Sequence, residues 1–79
     1  MATYKVISLN INEGIRRASQ LKFFRDSDAD IICLQETSLE LTRYFSDELG
    51  LSYAYCTTWK KPSGDTGIAV LSKVEQKSH

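Results

Sequence analysis

Histidine is almost missing from this chain. It occurs once, at His79. A lone histidine at the last position supports no Ser-His-Asp or Cys-His arrangement. Cysteine is also scarce, at Cys33 and Cys56 only. Two thiols with no sign of secretion around them make a poor disulfide framework. Cys33 lies inside an apolar run and reads as a small buried hydrophobe. Cys56 falls in a strand-like stretch and reads as packing, not as a nucleophile. No stretch approaches the roughly 20 apolar residues of a membrane span. Met1-Ala2-Thr3-Tyr4-Lys5 leads straight into a strand-like run, without the charged head and apolar core of a signal peptide. The expected compartment is therefore the cytoplasm. Excess charge of one sign is lacking as well: ten basic residues meet ten acidic ones. The doublets Arg16-Arg17 and Lys60-Lys61 read as solvated surface, so charge gives no support to a nucleic-acid partner.

What is present fits one small globular domain. The length is 79 residues, with 42% hydrophobic and 25% charged residues, an ordinary balance for a packed core under a polar surface. There are no repeats and no low-complexity segments. Tyr4 to Ile11 has β-branched residues and partial alternation, which predicts a strand with Ile7, Leu9 and Ile11 on one face and Val6 on the other. Asn10-Ile11-Asn12-Glu13-Gly14 follows as a turn. From Ile15 to Arg25, apolar Ile15, Ala18, Leu21 and Phe24 recur every three residues, which predicts an amphipathic helix capped by Gly14 or Asn12, with Phe23 partly exposed. Ile31 to Leu34 is a short apolar strand. Thr37-Ser38-Leu39-Glu40 has the spacing of a capping box, opening a helix over about Leu39 to Leu49 that Gly50 terminates. Leu51 to Trp59 and Gly67 to Ser72 read as two strands joined by a short loop, hence an antiparallel hairpin. Lys73 to His79 reads as a fraying tail.

Strand, helix and apolar strand within so short a span form a βαβ unit, whose crossover makes the two strands parallel. Both strands then end at one edge of the sheet, the edge where α/β folds bind ligands. Asn10 ends the first strand. Glu36 lies just past the second. A carboxylate beside an amide carbonyl suits a hard cation such as Mg²⁺, which keeps several waters and takes one or two protein carboxylates. Residue type alone leaves the bland reading open: Asn10 as a turn residue, Glu36 as a capping or surface carboxylate. Gly64-Asp65-Thr66-Gly67 lacks the Gly-Lys-Ser/Thr ending of a P-loop, and Asp65 reads as a turn residue.

Three blocks come in order: Ser8-Leu9-Asn10-Ile11-Asn12, then Asp28-Ala29-Asp30-Ile31-Ile32-Cys33-Leu34-Gln35-Glu36-Thr37, then Gly67-Ile68-Ala69-Val70-Leu71-Ser72-Lys73. Together they resemble the N-terminal part of the endonuclease/exonuclease/phosphatase superfamily. That superfamily includes exonuclease III-like nucleases, deoxyribonucleases, inositol polyphosphate phosphatases and sphingomyelinases. The Asp-Ile-Ile-Cys-Leu-Gln-Glu-Thr block is the most specific part. The resemblance implies an α/β fold, the N-terminal part of a four-layer sandwich: a βαβ unit, a second helix, then a β-hairpin. It implies hydrolysis of a phosphoester, in DNA or a small phosphorylated molecule, with Mg²⁺, or alternatively Mn²⁺, as cofactor. It places Asn10 and Glu36 at the metal and Asn12 behind them as a supporting residue.

The departures from the pattern are informative. Superfamily members run to roughly 250 residues, an ordinary length for one large domain. Residues 1–79 therefore read as a single partial domain. The later Asp-x-Asn motif, the Asp that orients a histidine and the Asp-His block that supplies it do not occur here. His79 follows Lys77-Ser78 and does not take that role. No catalytic acid or base is assigned, and the chain alone is expected to be inactive as a hydrolase. Two other readings stand beside this one: a stand-alone α/β binding module, and one half of a split hydrolase whose C-terminal half is a separate partner. With one sheet face lacking its partner sheet, apolar side chains are expected to be exposed on it.

Overall fold

The computed structural model describes residues 4–62 and 64–73. His79 and most of the expected tail lie outside the described residues, as does Ser63. The element order is β1 (Val6–Asn10), a 3-10 turn (Asn12–Gly14), α1 (Arg17–Ser27), β2 (Ile31–Thr37), α2 (Leu39–Leu49), β3 (Ser52–Trp59) and β4 (Thr66–Ser72). The four strands form one mixed sheet in the order β1-β2-β4-β3. β1 and β2 run parallel, in register from Val6 opposite Ile31 to Asn10 opposite Gln35. β4 inserts antiparallel between β2 and β3. This is the expected βαβ unit, helix and hairpin, and it matches the N-terminal part of the layered α/β fold.

Both helices cover the same face of the sheet. Ile32 and Leu34 of β2 and Ala69 and Leu71 of β4 point into that layer and are buried. Leu21 and Phe24 from α1 and Leu41 and Phe45 from α2 close it. Phe24 and Phe45 meet edge to face, ring centroids 5.4 Å apart, an arrangement that adds to the stabilisation from burial. Ile7 and Leu9 lean on this core while Val6 faces away, as the alternation predicts.

The other face has no covering element among the described residues. It carries rows set by the strand register: Ser8, Cys33, Val70 and Ala54 in one, Ile68 and Cys56 in the next. Ile68 is 50% exposed, and Val6 and Val70 are exposed too. A shallow trough runs over this face between Cys33, Ala54, Cys56 and Ile68. The thiols therefore differ from expectation. Cys33 is only half-buried and Cys56 is exposed, because both point to the face opposite the helices.

Three local expectations are corrected. The first helix begins at Arg17, so Ile15 is 74% exposed and Ala18 is also outside the core. Asn12, Glu13 and Gly14 all adopt left-handed φ, at 49°, 57° and 79°. These three residues make a separate turn, and neither Asn12 nor Gly14 caps α1. The second helix does run Leu39–Leu49 and ends on a left-handed Gly50, as expected. Its N-cap is Ser38, whose hydroxyl accepts from the Leu41 N–H at 3.1 Å. Thr37 is not the cap; it is fully buried, 3.2 Å from Thr42 Oγ1.

Candidate functional site

β2 continues through Thr37, so Glu36 sits inside the strand and not one residue past it. The alternation of β2 nevertheless breaks there. Leu34 pairs with Ala69 and Thr37 with Gly67, so Gln35 and Glu36 together face the single residue Ile68. This is a β-bulge, a device that re-aims side chains at functional edges. Glu36 takes up the bulge with φ at 51°. A left-handed conformation is disfavoured for a residue with a Cβ and is usually given to glycine. The bulge returns Thr37 to the helix-covered face and leaves Glu36 exposed at the C-terminal ends of the two parallel strands.

Asn10 ends β1 at the same edge. Its Nδ2 donates to Glu36 Oε2, and its Oδ1 accepts from the Asn12 N–H at 2.9 Å. The two predicted site residues are therefore in side-chain contact, across a sequence separation of 26 residues. Asn12 contributes through its main chain, turning Asn10 toward the carboxylate. The Ile11 N–H donates to the Gln35 carbonyl at 3.0 Å, tying the turn to the end of β2. Gln20 Nε2 of α1 donates to the Ile11 carbonyl at 3.1 Å and holds the same turn from the helix side.

The donor set fits a hard divalent cation. A carboxylate oxygen and an amide oxygen each keep spare lone pairs beyond the contacts just described. Mg²⁺ binds such sites through one or two carboxylates and retains its waters. Among the described residues, no group of three or more His, Cys, Asp or Glu side chains comes together. Soft-metal cages of the zinc type are thus not built from those residues.

Beside this edge lies a cleft lined by Glu13, Ser38, Glu40, Tyr55, Thr57 and Asp65, among others. Two features here escaped the sequence reading. Lys61 is not solvated surface: its side chain is 21% exposed and forms an ion pair with Glu13. Gly67 is required by close approach, since a Cβ there would lie 2.0 Å from the Cys56 carbonyl oxygen. The Gly67-Ile68-Ala69 block was a signal for the second. No local pattern links Glu13 to Lys61.

A mixed sheet covered on one side by two helices, with Asn10 and Glu36 in contact at the ends of its parallel strands, is a layered α/β domain. The chain belongs to the Endonuclease/Exonuclease/phosphatase family, whose model matches residues 7–79. Among solved structures it is similar to the mannosyl-6-phosphatase of Bacteroides thetaiotaomicron VPI-5482, at 20% identity and a TM-score of 0.62. That match covers 89% of this chain and 31% of the phosphatase, so the chain spans about a third of its neighbour's length. No curated protein matches the chain. Among the described residues, no helix is long and apolar enough to cross a membrane.

Proposed function

We propose that residues 1–79 form the metal-holding N-terminal part of a divalent-metal-dependent phosphoesterase, with Asn10 and Glu36 as ligands to Mg²⁺ or Mn²⁺. The observation that carries this reading is the left-handed Glu36 in the bulge. A position that favours glycine holds a carboxylate, aimed at Asn10. Strained residues of this kind concentrate at functional sites. Bound there, a divalent cation would neutralise charge on the phosphoryl and leaving oxygens.

The chain's own residues divide the remaining work. Glu36 supplies the anionic oxygen and Asn10 the neutral one. Asn12, through its N–H, fixes the orientation of the Asn10 amide. Asn10 and Asn12 carry no ionisable group and Glu36 is given to the metal, so none of the three is left as the positioned acid/base that water activation needs. The chain by itself is therefore proposed to bind metal and to be silent as a hydrolase, with the acid/base group in a further part of the catalytic domain. Zero net charge favours a small phosphorylated molecule over DNA, which rewards clustered cations. The mannosyl-6-phosphatase neighbour makes a phosphorylated sugar one candidate.

Titration with Mn²⁺, followed by the electron paramagnetic resonance of the free ion, tests the reading. Binding that disappears in Glu36→Gln and weakens in Asn10→Ala is the expected result. Equal binding by wild type and Glu36→Gln would remove the assignment. Robust Mg²⁺-dependent turnover of phosphoesters by the purified chain, lost on Glu36→Ala, would remove the claim of inactivity.

A further inference from the structure

The turn that carries Asn12 is held by more than its own hydrogen bonds. Asn12, Glu13 and Gly14 are three left-handed residues in succession. Such a run stays in place only where its surroundings over-determine it. From below, Gly14 presses on α2: a Cβ there would lie 2.6 Å from Leu41 Cδ2. From the side, Gln20 holds the Ile11 carbonyl. From above comes Lys61, on the loop that follows β3. It reaches across 48 residues of sequence to Glu13.

Lys61 is itself prearranged. Its ammonium lies 5.3 Å from the centroid of the Trp59 ring, a cation–π distance. Its side chain is 21% exposed, while its partner Glu13 stays exposed at 47%. The neighbouring Lys60 has no such contact among the described residues and is exposed. Only the second lysine of the doublet is committed.

We propose that Trp59, Lys61 and Glu13 form a latch that positions the Asn10 amide, so that Lys61 and Glu13 are positioning residues for the divalent-cation site. The route is short. Glu13 follows Asn12, and the Asn12 N–H sets Asn10 Oδ1. Asn10 Nδ2 in turn orients the Glu36 carboxylate. Releasing Glu13 lets the left-handed run relax and loosens the first oxygen donor. The proposal rests on the assignment of Asn10 and Glu36 as metal ligands.

The test uses Mn²⁺ binding together with the fluorescence of Trp59, the single tryptophan. Lys61→Met and Glu13→Gln should each bind Mn²⁺ roughly three- to tenfold more weakly, the low end of what supporting partners of metal ligands contribute. Both should shift Trp59 emission. Far-UV circular dichroism should stay unchanged, since the pair lies outside the core. Lys61→Arg, and the reversed pair Glu13→Lys with Lys61→Glu, should recover at least half of the lost affinity. If Glu36→Gln leaves Mn²⁺ binding intact, the metal assignment fails and the latch falls with it. If Glu36→Gln abolishes binding while Lys61→Met and Glu13→Gln bind as wild type, the latch alone is overturned. Weakened binding that neither Lys61→Arg nor the reversed pair restores also overturns it, because a latch depends on charge complementarity.

Discussion

Replacing Glu36 by glycine and by alanine separates its backbone strain from its chemistry. The residue sits in a bulge with φ at 51°. Holding a Cβ in that region costs about 1–2 kcal/mol. Alanine keeps this strain and loses the Asn10 contact, an exposed hydrogen bond to a carboxylate worth about 0.5–1 kcal/mol. Glycine loses the same contact and adds about 0.5–1 kcal/mol of chain entropy to the unfolded state, but it recovers the strain. The balance puts Glu36→Gly near wild type in stability and Glu36→Ala about 0.5–1 kcal/mol below it. A difference of about 1 kcal/mol moves the midpoint of a domain this size by roughly 4–8 °C. Thermal melts followed by far-UV circular dichroism should therefore place glycine a few degrees above alanine, while both variants lose Mn²⁺ binding. An alanine variant that melts above the glycine variant would refute the strain argument. A glycine variant that keeps Mn²⁺ affinity would refute the role of the carboxylate.

Other perturbations follow from the packing. Phe45→Ala removes a fully buried ring that abuts Phe24. It should cost about 3–5 kcal/mol, enough to abolish a cooperative melt in a domain of marginal stability. Gly67→Ala forces a methyl against the Cys56 carbonyl, so β3 must move; urea unfolding should show a loss of about 2 kcal/mol or more. A Gly67→Ala variant with wild-type stability would count against the close approach. At the opposite edge of the sheet, the Asp30 carboxyl is held below its ordinary value, first by the Lys5 N–H, then by Lys73 against some desolvation. A depressed carboxyl stabilises the fold above its unfolded value, about pH 4, and the contribution fades as pH falls through the folded value. Lys73 is raised, chiefly by its hydrogen bond to Asp28, so its contribution holds below about pH 10 and fades as pH rises beyond the folded value. Asp30→Asn should flatten the acid limb of the stability curve; an unchanged acid limb would count against the pairing.

Much of this molecule was legible in its residues. Alternation in Tyr4 to Ile11 and the apolar run from Ile31 to Leu34 located the parallel pair. The motif blocks pointed to Asn10 and Glu36 as neighbours, and the two side chains do touch. Helix α2 runs over the residues its spacing indicated. These features are local or periodic, and local pattern is what a chain displays directly.

The sequence by itself determined the order of elements, the alternation of the first strand and the residue types at the edge site, because each depends on side chains a few positions apart. Tertiary structure alone decided the rest. The bulge at Glu36 arises from pairing β2 against β4 with one residue to spare. The exposure of Cys33 and Cys56 follows from which sheet face the helices cover. The pairing of Lys61 with Glu13 joins residues that only the hairpin's return brings together. Contacts between distant segments depend on register and layer order, which no single stretch of sequence encodes.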